Sequence, residues 1–209
     1  MTTTNVNKYE LLLSDKLCQI ALPEHLKVDD VINKKPLEYL ATTYKIRKPE
    51  VLIQGSTYGV SAIFFSCILG KNVTVLEPNN TVLPITKCNV EENGARNVQV
   101  INQLLSINEV NYDVHYKQDN NFSYIIEQNP TGNVSGFSIN KIDDSVGVLF
   151  IDAGSPANLS KVLIELDKNE KIKDLLIIIR RSLLADPDAL ENFQNIDERS
   201  GFVFLSKQL

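Results

Sequence analysis

Four residues could do chemistry together: Gly55 and Gly59 in "GSTYG", Glu77, and Asp152. The two glycines lie between an apolar run, "VLIQ", and a run with helical character, "GVSAIFFSCIL". A tight strand-to-helix turn points several backbone N–H groups at one place, with the positive end of the helix dipole behind them. Gly55 lets the backbone turn sharply, and Gly59 lets a ligand or a neighbouring strand come close. Eighteen residues beyond Gly59, Glu77 closes the next apolar run. A carboxylate there can accept hydrogen bonds from both hydroxyls of a ribose. A dinucleotide pattern beginning at Gly55 would need glycines where Thr57 and Val60 stand, so a pyrophosphate has poor access. The ligand implied is a nucleoside without phosphates. The competing reading is a bare α/β sheet in which both glycines serve packing and Glu77 is a solvated strand end.

Asp152 ends "VGVLFID", on the edge where parallel sheets hold their ligands. There it could deprotonate or orient an acceptor hydroxyl, or equally cap the helix that begins near Pro156. Tyr58 either covers the ligand or packs. His25 and His115 read as surface residues, without partners at metal-ligand spacing, and no Gly-x-Ser-x-Gly nucleophile motif is present.

The elements around these residues alternate. "VLIQ", "NVTVLE" and "NVQVIN" read as strands, separated by the "GVSAIFFSCIL" and "TVLPITKCNVEENG" helices, the second capped by Asn93-Gly94. Such alternation implies a parallel sheet with helices on its faces. It resumes at "VGVLFID", "PANLSKVLIELDKNEK" and "DLLIIIRR", and a last strand is expected at "FVFLS". Before that core, the first ten residues read as a loose arm, "YELLLSDKLCQIAL" as a helix or irregular packed segment, and "KPLEYLATTYKI" as a helix with Pro36 in its first turn.

The residues from Gly55 to Gly59, Glu77-Pro78-Asn79, Asn93-Gly94 and Asn97-Val98 together resemble the S-adenosylmethionine-binding half of class I methyltransferases, most of all the FkbM-like family. The resemblance implies a Rossmann-like, doubly wound α/β fold with a mostly parallel sheet and a polar antiparallel or irregular insertion before the fourth main strand. One domain would span 1–209, divided into an N-terminal arm and helices (1–48), a cofactor-binding half (49–103), the insertion (104–145) and a C-terminal half (146–209). By the same resemblance Gly55 and Gly59 line the methionine moiety, Glu77 holds the ribose and Asn102 lies near the adenine. Gln54, Ser56, Thr57, Tyr58 and Pro78 complete the cofactor-binding set, and Asp152 is the catalytic candidate. Two departures stand out: Ile53 replaces an acid that contacts the cofactor's ammonium, for which Gln54 or a backbone carbonyl could substitute, and Phe150 and Gly154 replace a lysine and a glutamate. The activity implied is methyl transfer to an oxygen of a small molecule or sugar. The alternative is a catalytically degenerate member that serves as an interaction or assembly module.

Composition bounds the rest. A formal charge of −5 argues against a nucleic-acid or anionic-membrane binder. Three cysteines, Cys18, Cys67 and Cys88, match no zinc spacing and fit a reducing compartment. "MTTTNVNKYE" is polar and "VSAIFFSCILG" too short for a membrane span, so the expectation is a cytoplasmic protein, with homo-oligomerisation left open.

Overall fold

The computed structural model describes residues 5–28, 32–117, 120–184 and 186–207. Its centre is a seven-stranded sheet built from β3 (Glu50–Gln54), β4 (Asn72–Leu76), β5 (Val98–Ile101), β10 (Val146–Ile151), β11 (Leu175–Arg180), β12 (Gln194–Arg199) and β13 (Phe202–Lys207). The order across it is β12-β13-β11-β10-β3-β4-β5, parallel from β5 to β11 and antiparallel through β13 and β12. The Rossmann-like, mostly parallel architecture expected from the sequence is therefore present.

Side-chain alternation along the strands explains why helices cover both faces. Val51, Ile53, Val148, Phe150, Phe202 and Phe204 enter one buried cluster, and Leu52, Leu149, Ile151, Val203 and Leu205 enter the other. Neighbouring residues point to opposite faces, and both are apolar, so each face needs a cover. On the first face lie α1 (Lys35–Thr43), α2 (Val60–Ile63, continued by a wide π turn over Phe64–Ile68) and α3 (Val82–Glu92). On the second lies α4 (Pro156–Lys168), which contributes Leu159, Val162, Leu163 and Leu166. Its C-terminal end is closed by the buried Lys207, whose Nζ donates to the carbonyls of Leu166, Asp167 and Asn169 at 2.5, 2.8 and 2.7 Å.

One expectation is overturned, and two regions gain definition. The segment read as a helix or irregular piece is a tight hairpin of β1 (Val6–Leu13) and β2 (Lys16–Pro23), which also takes in part of the expected arm; residues 1–4 of that arm lie outside the described residues. Leu11, Leu13, Cys18, Ile20 and Leu22 are buried at period two, while the exposed Leu12 and Leu17 interrupt the alternation in sequence. β12, which the sequence did not announce, is an exposed edge strand whose polar residues give no hydrophobic period. The insertion is a sheet of its own, β6 (Gln103–Ser106), β7 (Asn111–Lys117), β8 (Asn120–Gln128) and β9 (Val134–Ser138), in the order β6-β9-β7-β8. It is antiparallel except for the parallel pair β6 and β9.

The hairpin is joined to α3 by two asparagines one turn apart. Asn89 accepts from the Ala21 N–H at 2.7 Å and donates to the Ala21 carbonyl at 3.0 Å. Asn93 does the same for Gln19, at 3.0 and 2.7 Å. Four helical residues rise about 6 Å and two strand residues about 6.8 Å, so this spacing lets a helix face imitate a neighbouring strand. Asn89 also donates to the Tyr58 carbonyl at 2.8 Å, which ties the glycine turn to the same helix. Replacing this fully buried amide by Leu strands three backbone groups. Asn89→Leu is expected to lower stability by about 2–4 kcal/mol, measured by urea unfolding, with Asn93→Leu costing less because its Gln19 contacts are exposed.

Candidate functional site

Strand order reverses between β3 and β10: the chain runs outward through β4 and β5 on one side and through β11 on the other. The carboxyl ends of the strands at such a switch point leave a crevice. A cavity of about 310 Å³ opens there. Gly55, Thr57 and Tyr58 from the turn, Glu77 and Asn79 after β4, and Asp152 and Ala153 after β10 form its floor. Thr81 and Val82 bring in the start of α3, Pro23 ends the hairpin and His25 follows it, and Tyr116 and Tyr124 come from the second sheet.

The turn holds a dense set of unusual backbone angles. Gly55 and Gly59 have φ of 72° and 95°, and between them Thr57 and Tyr58 also sit in the left-handed region at 48° and 56°. Gly55 is required by the protein itself: a methyl group there would lie 2.6 Å from Ala153 Cβ and 3.0 Å from Ala153 N. Gly59 faces away from the cavity, where an added carbon would meet the Thr86 carbonyl oxygen at 3.3 Å on α3. Ser56 is fully buried and accepts from the Gly59 N–H at 3.1 Å, bracing the turn.

Glu77 is the unusual charge of the site. It is 6% exposed, and its carboxylate takes hydrogen bonds from backbone N–H groups, that of Asn79 at 3.0 Å and that of Ser56. Burial raises its pKa to about 7, and the nearby Asp152 adds to the rise, against the pull of those two N–H groups. Asn102 lies outside the lining and donates to the Glu77 carbonyl at 3.0 Å, holding the ends of β4 and β5 in register. Pro78 is buried behind Glu77.

Asp152 is 4% exposed and already engaged. Arg180 reaches one carboxylate oxygen through Nε at 2.8 Å and through its terminal nitrogen, and also reaches the Asp152 carbonyl at 3.0 Å. The Thr57 hydroxyl donates to the other carboxylate oxygen. Burial pushes the Asp152 pKa above its ordinary value, opposed by the Arg180 charge and by both sets of hydrogen bonds. Arg180 stacks in turn over the Phe202 ring at 5.0 Å. The sequence showed Arg180 only as part of a basic pair; its position ending β11, one strand over from Asp152, was the available signal. The helix-capping reading of Asp152 does not hold, because the N-cap of α4 is Ser155 and no side chain caps it.

Gln54 is fully buried and acts behind the cavity wall. Its Oε1 accepts the Leu105 N–H at 2.6 Å and its Nε2 donates to the Tyr124 hydroxyl at 2.8 Å. The departures from the family pattern have packing explanations. Ile53 and Phe150 sit in the core, and any side chain at Gly154 would collide with Leu159, 2.6 Å from the position of its first carbon. His115 is exposed on β7, whereas His25 stands at the cavity rim. Among the described residues no cluster of three or more His, Cys, Asp or Glu could hold a metal, and no helix is long and apolar enough to cross a membrane.

No protein-family model matches this chain, and no curated protein matches it. Solved structures do. A putative methyltransferase, yhhF, from Escherichia coli superposes with a TM-score of 0.56 at 13% identity, over 97% of this chain and 99% of that one. A methyltransferase from Geobacter sulfurreducens gives 0.53 at 15%, over 86% and 80%. Precorrin-6y C5,15-methyltransferase from Geobacter metallireducens gives 0.52 at 14%, over 89% and 95%. The chain shares the fold of these methyltransferases. At such identities the likeness is one of architecture, and the residues of the site carry the rest.

Two outcomes are expected of this site. In the unfolded chain Glu77 titrates near 4.5, and in the folded protein near 7. Between those values the folded state keeps a proton that the unfolded state has lost, so this group's contribution to stability falls as pH rises from about 4.5 to 7 and is level above. Glu77→Gln should remove that fall, seen as a variant that gains on wild type between pH 5 and 8 in urea unfolding. Gly55→Ala should lose about 2–4 kcal/mol, from the left-handed backbone and the Ala153 contact together. Adding Ala153→Gly should recover only the contact part, as a double-mutant cycle would report.

Proposed function

We propose that the cavity binds S-adenosylmethionine and that the protein transfers its methyl group to an oxygen of a small molecule or sugar. The observation that carries this reading is Glu77: a buried carboxylate at the end of β4, facing a switch-point cavity and, among the described residues, supplied only with backbone donors. A pair of ribose hydroxyls would complete its hydrogen bonding and favour the ionised form. Among the described residues the lining has no lysine or arginine, which suits a nucleoside and not a pyrophosphate. The adenosine end of the cofactor therefore fits. For the ammonium end, Ile53 offers nothing, and the polar groups at the turn are the Thr57 hydroxyl, the Asp152 carboxylate that accepts from it, and the backbone. The finer kinship with FkbM-like enzymes rests on the Glu77-Pro78-Asn79, Asn93-Gly94 and Asn97-Val98 motifs.

Bound there, the cofactor supplies an activated methyl group whose transfer needs mainly in-line placement of donor and acceptor. The chain's part is to bind and orient. Glu77 fixes the nucleoside, the left-handed turn fixes the backbone beneath it, and Asp152 holds Thr57 in place through the charge of Arg180. With both of its oxygens engaged, by Arg180 and by Thr57, Asp152 serves as a positioning residue. That engagement also favours a second reading, a methyltransferase fold that keeps the cofactor pocket while serving as an interaction module.

Calorimetry with S-adenosylhomocysteine separates these. Wild type should bind, Glu77→Ala should bind more weakly by about 1.5–3 kcal/mol, and wild-type affinity should rise as pH is raised through 7, because the ionised carboxylate is the form that accepts from the hydroxyls. Binding without methyl transfer to any acceptor would favour the module; no binding by wild type would end both.

A further inference from the structure

The roof of the cavity comes from the second sheet, and its chemistry is that of two phenols. Tyr116 on β7 and Tyr124 on β8 meet edge to face with ring centres 5.4 Å apart, and both line the cavity. Gln54 decides what Tyr124 offers. Because Oε1 of this amide accepts the Leu105 N–H, the atom turned to Tyr124 is Nε2, a donor. The phenol oxygen accepts that bond, which leaves the phenol's own hydrogen to be donated to another group. The Tyr116 hydroxyl is buried and finds no hydrogen-bond partner among the described residues. Such a group costs its full desolvation unless something completes it.

The remaining wall sets the charge of what can enter. Glu77 and Asp152 are acids, and among the described residues no lysine or arginine lines the cavity, so a phosphate or carboxylate on the second substrate would meet these acids with only the imidazole of His25 at the rim to offset it, whereas the cofactor's carboxylate comes with its own ammonium and sulfonium. Burial, with the Glu77 charge adding to it, raises the pKa of both phenols above the ordinary value, so both keep their hydrogens at neutral pH.

We propose that Tyr116 and Tyr124 are the acceptor-recognition pair of this cavity, each donating its phenolic hydrogen to an oxygen of an uncharged, unphosphorylated acceptor. This rests on the cofactor reading above, in which the nucleoside takes the Glu77 end and the tyrosine roof is left to the second substrate. The pair thus sets specificity, and it comes from a sheet separate from the central one.

The test is methyl transfer from tritiated S-adenosylmethionine to glucose, fucose and catechol, against glucose 6-phosphate, fucose 1-phosphate and 3,4-dihydroxybenzoate. Label is expected on uncharged members only. Tyr116→Phe and Tyr124→Phe should each raise KM for the acceptor roughly tenfold, with kcat and S-adenosylhomocysteine affinity nearly unchanged. In protein labelled with 3-fluorotyrosine, with resonances identified through the two Phe variants, the uncharged compounds should shift the Tyr116 and Tyr124 signals. Transfer to the anionic members, transfer to none, or a loss of cofactor affinity in the Phe variants would overturn the proposal. Shifted tyrosine signals in a protein that fails to bind S-adenosylhomocysteine would overturn the cofactor reading and leave the phenol pair standing.

Discussion

Side-chain amides hold this molecule together where backbone ladders stop. A parallel sheet satisfies its own N–H and C=O groups but offers nothing to elements that pack against its carboxyl ends, and those ends are where the cavity lies. Here Asn89 and Asn93 pair with the free edge of β2. Gln54 and Asn158 satisfy the N–H and the carbonyl of Leu105 on β6, at 2.6 and 2.7 Å. Asn102 reaches the Glu77 carbonyl. An amide can serve in this way because it carries a donor and an acceptor side by side, as a peptide group does.

These joints place the cavity wall. Asn89 grips both the hairpin and the Tyr58 carbonyl, so the strand that leads to Pro23 and His25 is set against the turn that carries Thr57 and Tyr58. Gln54 fixes β3 to the second sheet and orients the Tyr124 phenol. The second sheet is docked again where the Tyr124 N–H donates to the Gly154 carbonyl at 3.2 Å, and the absence of a side chain at Gly154 lets Leu159 pack beneath. A residue that looked like a lost catalytic position lies, in the fold, against the Leu159 side chain.

Charge in the site follows from the same enclosure. Glu77 and Asp152 are both buried, yet they are treated differently: Asp152 has Arg180, and Glu77 has backbone donors. A buried carboxylate with a cationic partner is a structural unit, costly to break. One without such a partner is raised toward neutrality and is the group most changed by a ligand that can donate to it. In the reading proposed above, the contrast gives them different duties, one to hold the turn and one to meet the ligand.

The alternation of apolar runs determined the central sheet, because strands buried on both faces must be apolar throughout; Val51 to Gln54, Val73 to Leu76 and Val146 to Ile151 were legible for that reason. So were the glycine turn and Glu77, whose spacing follows from one strand–helix–strand unit. The hairpin was not, since Leu12 and Leu17 break its period, and β12 was not, since an edge strand needs no apolar face. Neither the pairing of Arg180 nor the tyrosine roof could be read, for a different reason. Asp152 meets Arg180 across twenty-eight residues, Gln54 meets Tyr124 across seventy, and such pairings exist only once the strands are laid side by side. Local spacing determined what the turn could hold; the tertiary structure decided which acid was already paired and what stood opposite, because those depend on distances that no local period encodes.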